Sequence, residues 1–285
     1  MPAETAKSSS AEPPKGAIAG KVYLVGAGPG PVDLLTLRAA ELLRRADVVI
    51  YDRLIQCEVL SLANPSAEII YMGKAAGGQQ SRQQEIHELL VRKAREGKMV
   101  VRLKGGDPYL LGRGGEEAEY LVEHGVPFEA VPGVSSSLAA PLGAGIPVTH
   151  REIASAVAIV TGHEARQQPG RLDWEALSRL DTLVFLMCVQ NLEQIASRLI
   201  THGRDPQTPA AMIQRAYWPR QRVITAPLGA IVRAAREAGV EPPAVLVVGE
   251  VVRLREKLGI GVSDAASSDG EGERGAPEVA QNVRG

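Results

Sequence analysis

The stretch VYLVGAGPGPVDLLT, residues 22–36, passes from an apolar run through a glycine-rich corner into a leucine-rich segment. Val22 to Val25 have the β-branched and aromatic content of a buried strand. Leu34, Leu35, Leu42 and Leu43 carry the spacing of a helix that starts at Leu34, beside Asp33. The glycines therefore sit at a strand-to-helix turn, where a dinucleotide fingerprint G-x-G-x-x-G belongs. Gly26 and Gly28 fit it, and the next strand, DVVIYD, carries Asp47 and Asp52. The third glycine position, however, is Pro31, and Pro29 and Pro31 remove two backbone N–H donors that a pyrophosphate would need. On these residues alone, a ligand-free tight turn and a nucleotide site both stay open.

Working outward, strands and helices alternate: KVYLV, a helix from Leu34, DVVIY, a helix near Val59, EIIYM, a helix from Arg82, KMVVRL, a helix near Glu117, and PFEAV. Such alternation predicts a mostly parallel sheet covered by helices. Ser81 and Gln84 have the spacing of a capping box for the third helix, and Gly97 follows its last turn. The pattern restarts with SAVAIVTGH, TLVFLMC, a helix from Leu192 that ends before Gly203, AAMI, RVIT, a helix near Ile231, and AVLVVGEVV. The reading is α/β: one α/β domain over 20–131, a crossing over 132–155, and a second α/β domain over 156–255, with a ligand cleft between the two. Residues 1–19 and 262–285, small and polar without periodicity, read as disordered tails.

Hydrophobic residues make up 45% of the chain, enough for real cores, and the formal net charge of −1 gives no global field to attract nucleic acid or an anionic membrane. Cys57 and Cys188 belong to no C-x-x-C or Cys/His cluster, so no metal site is expected. No signal core or membrane-length apolar run is legible, which leaves the cytoplasm as the expected location.

Polar residues follow several strands on what should be one sheet edge: Asp52 and Arg53 after Tyr51, Lys74 after EIIYMG, and Lys104 to Asp107 after Leu103. Ligands in open α/β sheets bind at the carboxyl ends of strands. The glycines of KGGDPYLLGRGG allow close backbone approach and Asp107 can accept hydrogen bonds; a plain Gly-Asp-Pro turn capped by Asp107 explains them equally. Asp52 and Lys74 could form an acid–base pair or be ordinary surface charges. VPGVSSS offers hydroxyls at a helix start. His150, Arg151 and His163 follow apolar runs, with no Ser-His-Asp spacing to suggest hydrolysis.

Taken together, VGAGPGPVDLLTLRAAELLRRADVVIYDRL, VVRLKGGDPYLLGRGGEEAEYL, GVPFEAVPGVSSSLAAPLGAGIPVTHRE, VTGH and TLVFLM resemble the uroporphyrinogen-III C-methyltransferases of the tetrapyrrole methylase family, from about residue 20 to about 252. The resemblance implies the tetrapyrrole methylase fold, not a Rossmann-type methyltransferase: two α/β domains, S-adenosylmethionine folded in the cleft between them, and a homodimer. It implies two methylations of uroporphyrinogen III, to precorrin-1 and then precorrin-2, on the way to siroheme or cobalamin, without a metal or redox cofactor. It carries cofactor contacts to Pro29, Gly105, Gly106, Asp107, Leu110, Ser135, Ser136, Met187 and Ala216. Asp52 matches the proposed proton acceptor and Lys74 the proposed proton donor. The glycine corner, with Gly28, lies beside the tetrapyrrole. Arg53, Lys74, Arg113 and Arg151 are, by position, candidate partners for the substrate's carboxylates.

The chain departs from the family pattern at Ala75, Gln80, Cys188 and Ala216, which stand where arginine, histidine, glycine and glycine are usual. The rival expectations are a methylase of a later corrin intermediate, a nicotinamide oxidoreductase and a binding protein without turnover.

Overall fold

A computed structural model describes residues 20–73, 79–166 and 170–259. The first half runs β1 (Lys21–Gly26), α1 (Leu37–Arg45), β2 (Val48–Tyr51), α2 (Cys57–Leu60), β3 (Glu68–Tyr71), α3 (Gln79–Arg95), β4 (Met99–Lys104), α4 (Gly114–Glu123) and β5 (Phe128–Val131). Its five strands lie in the order β3-β2-β4-β1-β5, all parallel. One face buries Val25, Val49, Val101 and Leu103 under Ala39, Leu42 and Leu43 of α1. The other buries Leu24, Ile50 and Val100 under Ile86, Leu89 and Leu90 of α3 and Leu121 of α4. Helices that leave β1 and β4 thus cover opposite faces, and these adjacent strands form the switch point at which a crevice opens.

Two helix starts differ from the expectation. Asp33 falls in a short 3-10 turn, Val32–Leu34, and Leu35 is extended; α1 begins only at Leu37, where the Thr36 hydroxyl caps it by accepting from the Ala39 N–H at 3.1 Å. Prolines 29 and 31 keep the intervening chain extended or turned, so leucine periodicity places the start one turn early. Likewise α3 begins at Gln79, putting Ser81 inside the helix rather than at its cap. Gln79 and Gln80 are good helix formers and carry the helix past the serine. The other end is as read: Gly97 has φ +77° and its N–H donates to Ala94 O, while the Lys98 N–H donates to Lys93 O, a Schellman closure.

The second half contains α5 (Ser136–Gly143), β6 (Val157–Thr161), α6 (Trp174–Ser178), β7 (Thr182–Leu186), α7 (Leu192–Thr201), β8 (Pro209–Gln214), β9 (Arg222–Pro227), α8 (Leu228–Glu237), β10 (Ala244–Val248) and α9 (Leu254–Leu258). Its sheet, β6-β7-β10-β8-β9, is mixed: β6 and β7 are parallel, and every other neighbouring pair is antiparallel. A mostly parallel arrangement therefore holds for the first sheet alone. The segment 215–221 between β8 and β9 is too short for a crossover helix and forces a hairpin. Within the stretch 132–155, Ala140, Ala144, Ile146 and Ala154 pack on Val184, Ala211 and Val247 of this second sheet.

Candidate active site

The parallel sheet aims the carboxyl ends of its strands at one edge. There the turns after β1, β4 and β5 touch backbone to backbone. The Gly28 N–H donates to Gly106 O at 3.1 Å and the Gly106 N–H to Gly28 O at 2.8 Å. A Cβ on Gly133 would stand 2.3 Å from Gly106 O and 2.7 Å from Gly26 Cα, so three glycines let three loops converge. Asp107 locks them: its Oδ1 accepts from the N–H groups of Tyr109 (2.9 Å) and Leu110 (3.2 Å), and its Oδ2 from Gly133 N–H (3.2 Å). Ala27 N–H donates to Lys104 O, so the corner has no row of free N–H groups for a pyrophosphate.

Ser135 caps α5, its hydroxyl accepting from the Ser137 N–H, and its Cα lies 3.6 Å from where a Cβ on Gly106 would sit. Gly105 lies against Leu54, two residues past Asp52. From the second half, Trp218 Nε1–H donates to Pro29 O at 2.9 Å, tying the β8–β9 loop to the glycine corner two residues from Ala216. Pro29, Gly105, Gly106, Asp107, Leu110, Ser135 and Ala216 are thus linked through one set of touching loops. Met187 follows β7, is 43% exposed and has φ +53°.

All six non-glycine residues with positive φ among those described, Leu111, Arg113, Met187, Arg215, Tyr217 and Arg220, fall in the loops that carry these candidates. Such backbone strain clusters at functional sites. Ala216, between two of them, is not itself among them, so its methyl group costs no strain. Cys188, with φ −95°, accepts a side chain equally well. Burial pushes its thiol up to about 12.

Asp52 ends β2 on the face of Val48 and Ile50. Its Oδ1 accepts from the Leu54 N–H at 3.0 Å, and its Oδ2 faces Arg102 Nη2 at 3.9 Å with 29% of the side chain exposed. Behind it lies a buried charge cluster. Arg102 and Lys104, alternate residues of β4, point to the same face, and fully buried Glu117 of α4 accepts at Oε1 from Lys104 Nζ (2.8 Å), Arg102 Nε (3.2 Å) and Gln83 Nε2 (3.2 Å). Burial, and then Arg102, lower the Lys104 pKa. Burial works to raise the Glu117 carboxyl, but Arg102 and Lys104 outweigh it and hold it low. Gln83 bridges to His87, whose imidazole burial keeps below its usual value.

Of the expected cations, Lys74 lies outside the described residues, as does Ala75, and nothing is described of the Gln80 side chain. Arg53 and Arg151 are exposed, with no ion pair among the described residues. Arg113 is held in a fork by Glu116 (2.6 to 3.1 Å), and this bonding keeps the Glu116 carboxyl below its ordinary value. Sequence reasoning missed Arg102, Glu117, Gln83 and Trp218. A signal existed for the first two: a strand buried on both faces reads as a continuous apolar run, so two cations in MVVRLK demand a buried carboxylate. Surface depressions beside Arg92 and Tyr120, and beside Arg179 and His202, involve the carboxyl-terminal parts of helices and lie off this edge.

Fold and site together define an α/β protein of two five-stranded sheets, in which the loops at the carboxyl edge of the parallel sheet meet a loop of the mixed one. The model of the tetrapyrrole (corrin/porphyrin) methylases matches residues 21–232, and the chain belongs to that family. It is 51% identical over 243 residues to a protein of Methanosarcina barkeri named S-adenosyl-L-methionine-dependent uroporphyrinogen III methyltransferase, covering 84% of this chain and 95% of that one. It is 49% identical over 240 residues to a siroheme synthase of Thiobacillus denitrificans, covering 84% of this chain but spanning only 50% of that protein. Among solved structures, uroporphyrin-III C-methyl transferase of Thermus thermophilus complexed with S-adenyl homocysteine superposes with a TM-score of 0.69 at 47% identity, over 82% of this chain and 94% of that one. No helix among the described residues is long and apolar enough to cross a membrane, and no His, Cys, Asp and Glu side chains among them group as metal ligands would.

Proposed function

We propose that this chain methylates ring carbons of uroporphyrinogen III with S-adenosylmethionine, giving precorrin-1 and then precorrin-2, and that it works as a homodimer in the cytoplasm. The names of its relatives support the reaction, and one geometric observation carries it: Asp52, its side chain 29% exposed, has one carboxylate oxygen, Oδ2, without a hydrogen-bond donor among the described residues, at the edge where the glycine loops converge.

The residues suit the cofactor. The acceptor Asp107 and the Ser135–Ser136 helix start packed against Gly106 form a wall fit for a ribose, while Met187 and Ala216 offer an apolar surface. When bound, the sulfonium supplies an electrophilic methyl group and departs as a neutral thioether. Asp52 Oδ2 takes the pyrrole N–H proton as the ring carbon attacks, relieving the positive charge that would otherwise build on the macrocycle. Lys74 remains the proposed proton donor. Arg53 and Arg151 meet substrate carboxylates; Arg113 does so less strongly, because Glu116 already neutralises it.

The test is anaerobic incubation with labelled S-adenosylmethionine and uroporphyrinogen III, counting methyl groups on the product. Two are expected. Asp52→Ala should retain S-adenosylhomocysteine affinity and lose about 10² to 10⁴ in turnover, the usual worth of a positioned base. Wild-type turnover in that variant would remove Asp52 from the role, and product carrying no methyl would remove the reaction.

A further inference from the structure

The mechanism uses Asp52 but leaves unexplained why three charged side chains are buried directly behind it. The β2–β4 register pairs Ile50 with Arg102 and Tyr51 with Leu103, so Asp52 comes next to Lys104 at the end of the ladder. One carboxylate thus faces two cations from the open side, while Glu117 faces the same two from the buried side. Left to themselves, a guanidinium and a half-buried carboxylate close to a direct contact of about 2.7–2.9 Å. They do not do so here. Arg102 Nε is directed at Glu117 and Nη1 at Leu103 O, and Nη2 stops 3.9 Å from Asp52. Glu117 Oε1 takes all three donors, Lys104 Nζ, Arg102 Nε and Gln83 Nε2, while its Oε2 is buried without a partner among the described residues, so this carboxylate holds both cations from the buried side.

We propose that Glu117 is a positioning residue for the reaction: by anchoring Arg102 and Lys104 from the buried side, it keeps them from pairing directly with Asp52 and leaves Oδ2 available to the substrate. The pieces come from three elements, β2, β4 and α4, and α3 completes the anchor through Gln83. The inference rests on the assignment of Asp52 as proton acceptor, and its test includes a readout that needs no turnover.

In a crystal structure of Glu117→Gln, Arg102 should swing onto Asp52 and close the 3.9 Å gap to hydrogen-bond distance. In kinetics the same variant should lose between about ten- and a hundredfold in kcat, part of the worth of a positioned base, with KM for S-adenosylmethionine within about twofold of wild type. In an Asp52→Ala background, Glu117→Gln should cause no further loss, because a residue acting through another has nothing left to act on. If Glu117→Gln does not accumulate folded, the double variant E117Q/K104M removes one cation together with one carboxylate, and should fold and show the same movement of Arg102.

An Arg102 that stays in place, or losses that multiply in the double variant, overturns the proposal. If wild-type protein transfers no methyl group at all, the proposed function fails, while the Arg102 movement is still read crystallographically and judged separately.

Discussion

The two sheets are of equal size and unequal use. In the first, five parallel strands end at one edge, and the polar residues after β1, β2 and β4 meet there without any long-range design beyond the strand direction. In the second, antiparallel pairing sends successive strand ends to opposite sides, so the sheet gathers little at one edge. It meets the first instead through an irregular loop, the turn from Arg215 to Arg220, whose left-handed residues aim Trp218 at Pro29. The cores differ in the same sense. The second, built on Phe185, Leu246 and Ile195, buries polar Asn191 and Gln214 but no charged side chain among the described residues, whereas the first accepts Arg102, Lys104 and Glu117. The half that carries the candidate carboxylate Asp52 also carries the buried charge.

The contrast can be broken most severely at Lys104. Lys104→Met leaves Glu117 with one cation fewer in a dry site, and should cost about 3–5 kcal/mol in urea unfolding followed by circular dichroism. A loss under 1 kcal/mol would mean the cluster is solvated and the two cores are alike.

A smaller effect is expected from Gly133→Ala, whose Cβ would stand 2.3 Å from Gly106 O: about 1–3 kcal/mol of stability, together with weaker S-adenosylhomocysteine binding by calorimetry. Unchanged affinity would detach the converging loops from the cofactor. Trp218→Phe removes one N–H donor between the two halves and should cost about 1 kcal/mol. If thermal unfolding and nucleoside affinity both stayed at wild-type values, the contact would not couple the halves.

The mildest comparison needs no substitution. Cys57 of the first half is exposed, and Cys188 of the second is buried with its thiol pushed up to about 12, so a disulfide reagent at neutral pH should titrate one thiol per native chain and two after denaturation. Two reactive thiols in the native protein would mean the second core opens.

Much of the first half was legible. Apolar runs of four to six residues between helix-length segments gave β1 to β5, and polar residues after those runs gave Asp52 and Asp107, because side-chain alternation and strand polarity are local properties. The Ser135 cap and the Gly97 stop were readable for the same reason. Asp107 caps its Gly-Asp-Pro turn as read, and by accepting from Gly133 N–H it also ties that turn to the loop after β5, a contact that spacing along the chain does not reveal. The helix starts at Leu34 and Ser81 misled, since periodicity shows which face is buried and not where the backbone first turns.

The sequence by itself determined the alternation of elements, the family resemblance and the residue types at the carboxyl edge. Only the tertiary structure decided that the second sheet is mixed, that Glu117 stands behind Asp52 and that Trp218 joins the two halves, for these depend on register and contacts between residues 15 to 189 positions apart. Local pattern is written in the spacing of neighbours along the chain. Distances across a sheet or a cleft arise only once packing has chosen among all the strand orders the same pattern allows.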